Sequence, residues 1–299
     1  MRSPRPSPCK INLVLNILDR RPDGFHELET LLLPVPLCDE ITLEPARDAV
    51  ELTCSNPEVP TDGTNLVVRA ANAFFEQTGD RRGLRIHLEK RIPMAAGLGG
   101  GSSNAATTLL ALNELCGHPL AEGELAFIAA QLGSDVPFFL QPGPAIGIGR
   151  GEQLQAVPSL RSLDGLHLLL IHPGFGVSTP WAYRHLAAFP EALHGRPGRA
   201  GEVAALLGQG ERDRGLAGLF NSLETPVFDK YPVLRLYQEF LREHGALAAM
   251  MSGSGSTTFA FFDEVPRAAT ARSAFVRQFG ETCWTAIVPA TGSPATPSR

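Results

Sequence analysis

Pro93-Met94-Ala95-Ala96-Gly97-Leu98-Gly99-Gly100-Gly101-Ser102-Ser103-Asn104-Ala105-Ala106 sets four glycines almost side by side, directly ahead of a run of small and apolar residues. Glycine takes positive φ without steric cost and lets a ligand come into contact with the main chain. Ser102, Ser103 and Asn104, followed by Ala105 to Leu112, predict a helix opening at about Ser102. A glycine loop that ends where a helix begins gathers unpaired N–H groups at the positive end of the helix dipole. It therefore predicts an anion, such as a triphosphate, as its guest. No lysine occurs between Pro93 and Ala106, which excludes the Walker loop, and the G-x-G-x-x-G register starting at Gly97 ends on Ser102. A flexible linker would be polar on both sides, whereas this loop lies between the strand-like Leu84 to Ile92 and an apolar helix.

Working outward, the chain of 299 residues has length for two modest domains, and its 43% apolar content is that of a globular protein. A formal net charge of −5 argues against a nucleic-acid partner. Basic residues are nearly all arginine; lysine occurs only as Lys10, Lys90 and Lys230. The five cysteines are scattered without a C-x-x-C pair, so neither a disulfide framework nor a zinc site is indicated. No apolar run has membrane-spanning length and the start lacks a signal-peptide core, which together predict a soluble cytoplasmic protein with no membrane partner.

Ahead of the loop, Lys10 to Ile17 alternates as a strand, with Ile11, Leu13, Leu15 and Ile17 on one face and Lys10, Asn12 and Asn16 on the other. That polar face reads either as a solvated edge or as the wall of a polar cleft. Arg21-Pro22-Asp23-Gly24 has the chemistry of a turn and delivers Phe25 and His26. Strands are expected at 28–35, 40–44, 50–54 and 84–89, and an amphipathic helix at 65–77. Beyond the loop, a helix at 122–132 ends at Gly133, and Pro137 biases Val136 away from helix. Glycines and prolines between Gln141 and Pro158 are where a domain boundary falls. Later come a buried strand at 166–171, helices at 178–188, 201–208, 220–228 and 233–244, a surface excursion at 191–199, and strands at 246–251 and 257–262. A helix at 265–279 and a strand at 283–288 follow, with a polar tail from Thr291 expected to be disordered. Irregular alternation of strands and helices indicates an α+β class.

Three stretches stand in one order: Lys10-Ile11-Asn12-Leu13, Pro93 to Ala106, and Ser252-Gly253-Ser254-Gly255-Ser256-Thr257. This order resembles the GHMP kinase superfamily, the ATP-dependent kinases of small metabolites. The resemblance runs from about Pro8 to Pro289, and Pro22 to Glu27, Thr64-Asn65-Leu66 and Gly133 to Pro137 narrow it to members acting on a cytidine diphosphate compound. It implies a two-domain fold: an ATP-binding domain over 1–155, a C-terminal α/β sandwich domain over 156–290, the active site in the cleft between them, and a tail at 291–299. The reaction implied is phosphorylation of the C2 hydroxyl of 4-diphosphocytidyl-2-C-methyl-D-erythritol by ATP with Mg2+. The rivals are another GHMP kinase, acting on homoserine, mevalonate or a sugar, and a catalytically silent nucleotide-binding regulator, which would be expected to have lost Lys10 or Asp135.

The resemblance also distributes roles. Phosphates would lie on the backbone N–H groups of Pro93-to-Gly101, namely Met94, Ala95, Ala96, Gly97, Leu98, Gly99, Gly100 and Gly101, and on the Ser102 and Ser103 hydroxyls, with Asn65 and Lys90 near the nucleoside. Asp135 would orient the acceptor hydroxyl and take its proton, with Lys10 as its positively charged partner. Asn12, Phe25, His26, Thr179, Tyr183, Gly253 and Ser254 would bind the acceptor, with His26 at the cytosine edge and Tyr183 as a stacking face. Duller readings stand beside these: Asp135 capping a turn, Lys10 as a solvated strand residue, Tyr183 in a helix core, and Lys90 in a strand-end charge pair. No carboxylate in the sequence marks itself as a magnesium ligand, and neither oligomeric state nor the metal site is legible.

Overall fold

The computed structural model describes residues 4–47, 49–80 and 82–292, so residues 293–299 of the expected disordered tail lie outside the described chain. In chain order the strands are β1 (Arg5–Arg20), β2 (His26–Ala46), β3 (Val50–Cys54), β4 (Gly83–Glu89), β5 (Ala145–Gly149), β6 (Gln153–Ala156), β7 (His167–His172), β8 (Phe220–Asn221), β9 (Ala248–Met251), β10 (Thr258–Phe262) and β11 (Trp284–Pro289). The helices are α1 (Leu66–Thr78), α2 (Gly100–Leu115), α3 (Glu122–Leu132), α4 (Thr179–His185), α5 (Pro190–Leu193), α6 (Arg199–Gly208), α7 (Arg212–Ala217), α8 (Glu224–Lys230), α9 (Val233–Glu243) and α10 (Val265–Phe279). The class is α+β, as the sequence indicates. Two compact units divide the chain, neither contiguous: one takes Met1–Cys9, Leu37–Ile92 and Gly99–Pro142, the other Lys10–Pro36, Pro93–Leu98 and Gly143–Arg299.

In the first unit β4 alternates buried Leu84, Ile86 and Leu88 with exposed Arg85 and His87, so one face is driven inward. It pairs antiparallel with the end of β2, from Glu40↔Glu89 to Ala46↔Gly83, and parallel with β3, from Val50↔Leu84 to Cys54↔Leu88. Helices α1, α2 and α3 pack with one another beside this sheet, α1 burying Val67, Val68, Ala70, Ala71 and Phe74. The small residues along α2 let most of the helix be buried, while Gly101, Leu110 and Glu114 stay exposed. It opens at Gly100, two residues before the sequence places it, with Gly99 at φ 70° turning the chain into the helix. Val136 adopts a right-handed helical conformation at φ −64°, ψ −44° and leads into the 3-10 turn Pro137–Leu140, so packing overrides the pre-proline bias.

The second unit contains a four-stranded antiparallel sheet in the order β11-β7-β10-β9. One core joins its residues Leu169, Ile171, Ala260 and Phe262 to Leu234, Tyr237 and Leu241 of α9 and Ala268, Ala271 and Phe275 of α10. The start of β2 pairs with β5, and β5 with β6. The glycines and prolines after Gln141 thus form a hairpin, in which an added Gly147 Cβ would lie 2.7 Å from the Gly151 carbonyl oxygen. Strands 28–35 and 40–44 are one strand, since the fixed φ of Pro34 and Pro36 suits extended chain.

The helix expected at 220–228 begins only at Glu224; Phe220 and Asn221 pair parallel with Val14 and Leu15. The short helix α7 was not anticipated. The 191–199 excursion is largely exposed, as a surface excursion should be, and it is also tied to the sheet: Gly195 N–H donates to the Ile17 carbonyl at 2.8 Å, Asn16 Nδ2 donates to the Arg196 carbonyl at 2.8 Å, and Glu29 accepts from Gly198 N–H at 2.9 Å. The segment thus gives the buried Asn16 NH2 an acceptor and the buried Glu29 carboxylate a donor.

Candidate functional site

The polar face of β1 is buried, not solvated: Lys10 and Asn12 are only 3% and 4% exposed. Their side chains meet directly, Lys10 Nζ donating to Asn12 Oδ1 at 2.6 Å. Asn12 Nδ2 donates to Thr30 Oγ1 at 2.8 Å, and that hydroxyl donates to the Val14 carbonyl at 2.6 Å. Thr30 therefore fixes the amide so that its oxygen faces the ammonium. Sequence reasoning missed Thr30, whose only signal was its place on the strand following Phe25 and His26.

The first half of the glycine loop, Pro93–Leu98, is fastened to the same strand. Lys10 N–H donates to the Leu98 carbonyl at 2.9 Å, and Thr257 N–H donates to the Ala96 carbonyl at 3.2 Å. Ser252 Oγ donates to the Gly97 carbonyl at 3.0 Å and accepts from Asn12 N–H at 3.3 Å. Gly97 sits at φ 77°, and a Cβ built there would lie 2.2 Å from the Ser252 carbonyl oxygen. Glycine is required here on both counts. Ala95 holds a left-handed φ of 50°, a strain of the kind that collects at functional loops. An added Gly253 Cβ would lie 3.3 Å from Asn12 Oδ1 and 3.4 Å from Lys10 Nζ, so Gly253 borders the ammonium. Ser254 Oγ and Thr179 Oγ1 are hydrogen-bonded at 2.7 Å, which joins two of the expected acceptor residues.

The turn before β2 is closed by Arg21 N–H to the Phe25 carbonyl at 2.8 Å and by Phe25 N–H to Asp23 Oδ1 at 3.1 Å. Phe25 projects from it 54% exposed, with the Arg150 guanidinium 4.8 Å from its ring centroid. His26 and Tyr183 face each other, centroids 5.3 Å apart and tilted by 39°. Burial, followed by the charge of Arg20, holds the His26 imidazole below its ordinary pKa. A neutral ring offers one donor and one acceptor, which suits the edge of a nucleobase. Tyr183 also packs against the second unit's core, as the helix-core expectation has it.

In the first unit the loop continues from Gly99 into α2. No side chain caps that helix start, and the first-turn N–H groups of Gly100, Gly101 and Ser102 have no partner within the helix. An added Gly101 Cβ would meet only Leu66, at 3.7 Å, so the outer face is open. Uncapped amides with an open approach fit a phosphate. Ser102 is half-buried, whereas Ser103 is fully buried and its hydroxyl pairs with Ser7 Oγ at 2.8 Å. Ser103 is thus tied to Ser7 within the first unit.

Lys90 Nζ donates to Asp39 Oδ2 at 2.5 Å; that oxygen also accepts from Asn104 Nδ2 at 2.9 Å, while Oδ1 accepts from the N–H groups of Arg91 and Ile92. The strand-end charge pair is the arrangement found, and its buried partner, Asp39, was not singled out by the sequence. Asn65 caps α1, accepting from Val67 N–H at 2.8 Å and donating to the Pro60 carbonyl at 2.6 Å. Asp135 is half-buried in the turn that Val136 N–H closes on the Gly133 carbonyl at 3.2 Å. Among the described residues no three His, Cys, Asp or Glu side chains cluster as metal ligands. No described helix is long and apolar enough to cross a membrane.

Comparison with known proteins gives the following. The family described as GHMP kinases N terminal domain matches residues 65–143, and GHMP kinases C terminal matches residues 188–282. A 4-diphosphocytidyl-2-C-methyl-D-erythritol kinase of Synechococcus sp. (strain JA-3-3Ab) is 42% identical over 91% of this chain and 89% of its own. One of Chlorobium phaeobacteroides is 41% identical, covering 91% and 93%. A crystal structure of 4-(cytidine 5'-diphospho)-2C-methyl-D-erythritol kinase superposes with a TM-score of 0.79 at 36% identity, covering 96% of this chain and 99% of that one. The homoserine kinase of Cytophaga hutchinsonii, at 20% identity and a TM-score of 0.72, shares the fold.

Proposed function

The chain belongs to the 4-diphosphocytidyl-2-C-methyl-D-erythritol kinases of the GHMP family, and we propose that it moves the γ-phosphate of ATP to its acceptor's C2 hydroxyl. The products are the 2-phosphate and ADP, in the non-mevalonate route to isoprenoid precursors. The observation that carries this reading is the fastening of the glycine loop to the strand that presents Lys10. ATP supplies the phosphoryl group. The first-turn amides of α2 and the Ser102 hydroxyl receive its phosphates, and the Lys10 ammonium stabilises charge developing on the transferring group. Asp135 orients the hydroxyl and accepts its proton. Asn12, held by Thr30, binds the acceptor beside Lys10, and Thr179, Gly253 and Ser254 line the same side.

For specificity, neutral His26 reads the cytosine edge and the rings of Phe25 and Tyr183 supply stacking faces. Mg2+, carried with the ATP phosphates, would supply positive charge against the charge developing in the transfer. The enzyme acts in the cytoplasm on a small molecule, without nucleic acid or membrane. A coupled ADP-release assay tests this with the cytidine diphosphate acceptor, homoserine, mevalonate and no acceptor. Turnover that depends on the first alone is expected; turnover indifferent to the acceptor, or supported better by homoserine or mevalonate, overturns it.

A further inference from the structure

The turn Ser252-Gly253-Ser254-Gly255-Ser256 borders the Lys10 ammonium, yet it contains two glycines in left-handed conformations, Gly253 at φ 59° and Gly255 at φ 86°. Such a segment has wide backbone freedom, so something outside it must hold its shape. Phe220-Asn221-Ser222-Leu223-Glu224 meets that need. On one side this segment joins the strand carrying Lys10 and Asn12: Ser222 N–H donates to the Leu15 carbonyl at 2.8 Å, and Ile17 N–H donates to Ser222 Oγ at 3.0 Å. On the other it grips the turn. Asn221 Nδ2 donates to the Met251 carbonyl at 2.9 Å and to the Gly253 carbonyl at 2.8 Å, straddling Ser252. Glu224 accepts from Met251 N–H at 2.8 Å. The amide of Asn221 is itself oriented, its oxygen accepting from Leu223 N–H at 2.9 Å.

We propose that Asn221 is a positioning residue for phosphoryl transfer, clamping the two carbonyls around Ser252 so that the Ser252–Gly253 turn keeps its place beside Lys10 and Asn12. It acts through the turn, by way of the Met251 and Gly253 carbonyls that it holds. One NH2 group giving both bonds fixes two peptide planes at once. Aspartate has the same shape and no donor, and alanine has neither.

The inference rests on the kinase reading of Lys10, and the test separates the two. Asn221→Ala, Asn221→Asp and the milder Asn221→Ser are compared with wild type by steady-state kinetics and by hydrogen exchange across residues 250–258. In the Ala and Asp variants kcat is expected to fall roughly 10- to 100-fold with KM for ATP little changed, since misplacement of reacting groups costs turnover more than binding. Exchange in the turn is expected to quicken, and Asn221→Ser, which retains a donor, to fall between. A folded Ala or Asp variant with kcat within twofold of wild type overturns the proposal, as does unaltered exchange in the turn. If the Ala variant does not fold, the Ser variant decides on the same readouts. Should wild type itself show no acceptor-dependent turnover, the kinase reading fails, and the exchange comparison alone still decides whether Asn221 holds the turn.

Discussion

Gly97→Ala probes the loop most directly. The residue sits at φ 77°, where an alanine costs about 1–2 kcal/mol relative to glycine. Its new Cβ would lie 2.2 Å from the Ser252 carbonyl oxygen and 3.0 Å from that of Gly255, both backbone atoms without rotamers to yield. Relieving the first contact to 3.0 Å requires the loop and the turn to part by about 0.8 Å. If packing resists, overpacking adds about 1–3 kcal/mol. The total is then about 2–5 kcal/mol of stability. If packing yields, the Ser252 bridge between Gly97 and Asn12 stretches, and a shift near 1 Å in a positioning contact costs on the order of 100-fold in rate. Thermal unfolding and kcat from ADP release together capture either outcome. The matched control is Gly123→Ala, in open space on α3, expected to be neutral or to stabilise by about 0.5–1 kcal/mol. A Gly97→Ala protein matching wild type in both melting midpoint and kcat would refute the steric reasoning.

Asp135→Asn and Lys10→Ala should each lower kcat by orders of magnitude while circular dichroism stays native; near-normal turnover in a folded Asp135→Asn protein would remove it as the base. Asp39→Ala strands the buried Lys90 ammonium and should cost about 3–5 kcal/mol in chemical denaturation, with Asp39→Asn milder because it keeps an acceptor for the Arg91 and Ile92 amides. A loss under about 1 kcal/mol would show that the pair is dispensable. His172 is buried and its pKa is lowered by desolvation. The unfolded chain therefore binds its proton more readily, so this stabilisation is complete above the ordinary imidazole value of 6.5 and is lost as pH falls through the depressed folded value. The melting midpoint should decline on that acid side, less steeply in His172→Gln; equal slopes would assign the decline to other groups. His26, also depressed, predicts that KM for the acceptor rises over a similar acidic range while KM for ATP does not.

Local pattern carried the fold far. The limits of α3, α10 and β3 follow from periodicity and from Gly133 and Gly280 as stops, because those elements are decided by their own residues. Phe220-Asn221 reads as helical by composition and is a strand, since its pairing partner lies on β1, some two hundred residues earlier. The same limit applies to function. Lys10, Asn12 and the glycines announce themselves by residue type, in a chain where lysine is rare. Thr30, Asp39 and Asn221 do their work through partners distant in sequence, and a threonine or asparagine in a single sequence does not show which carbonyl it will meet. Ser103 is a similar case: its place in the motif does not show that its hydroxyl meets Ser7, ninety-six residues earlier.

Ser7 has a practical bearing on how the protein can be cut and tagged. Its hydroxyl also accepts from Asn104 Nδ2, and Asn104 in turn donates to Asp39, the counter-ion of Lys90. Trimming the chain to the first residue of obvious interest, Lys10, would unplug this chain of bonds and leave the Ser103 hydroxyl facing an empty slot in the interior of the first unit. A truncation chosen for crystallisation or expression would thus weaken the support of the helix that follows the glycine loop, and a loss of activity in such a protein would originate in its missing strand rather than in any residue proposed to meet the substrate.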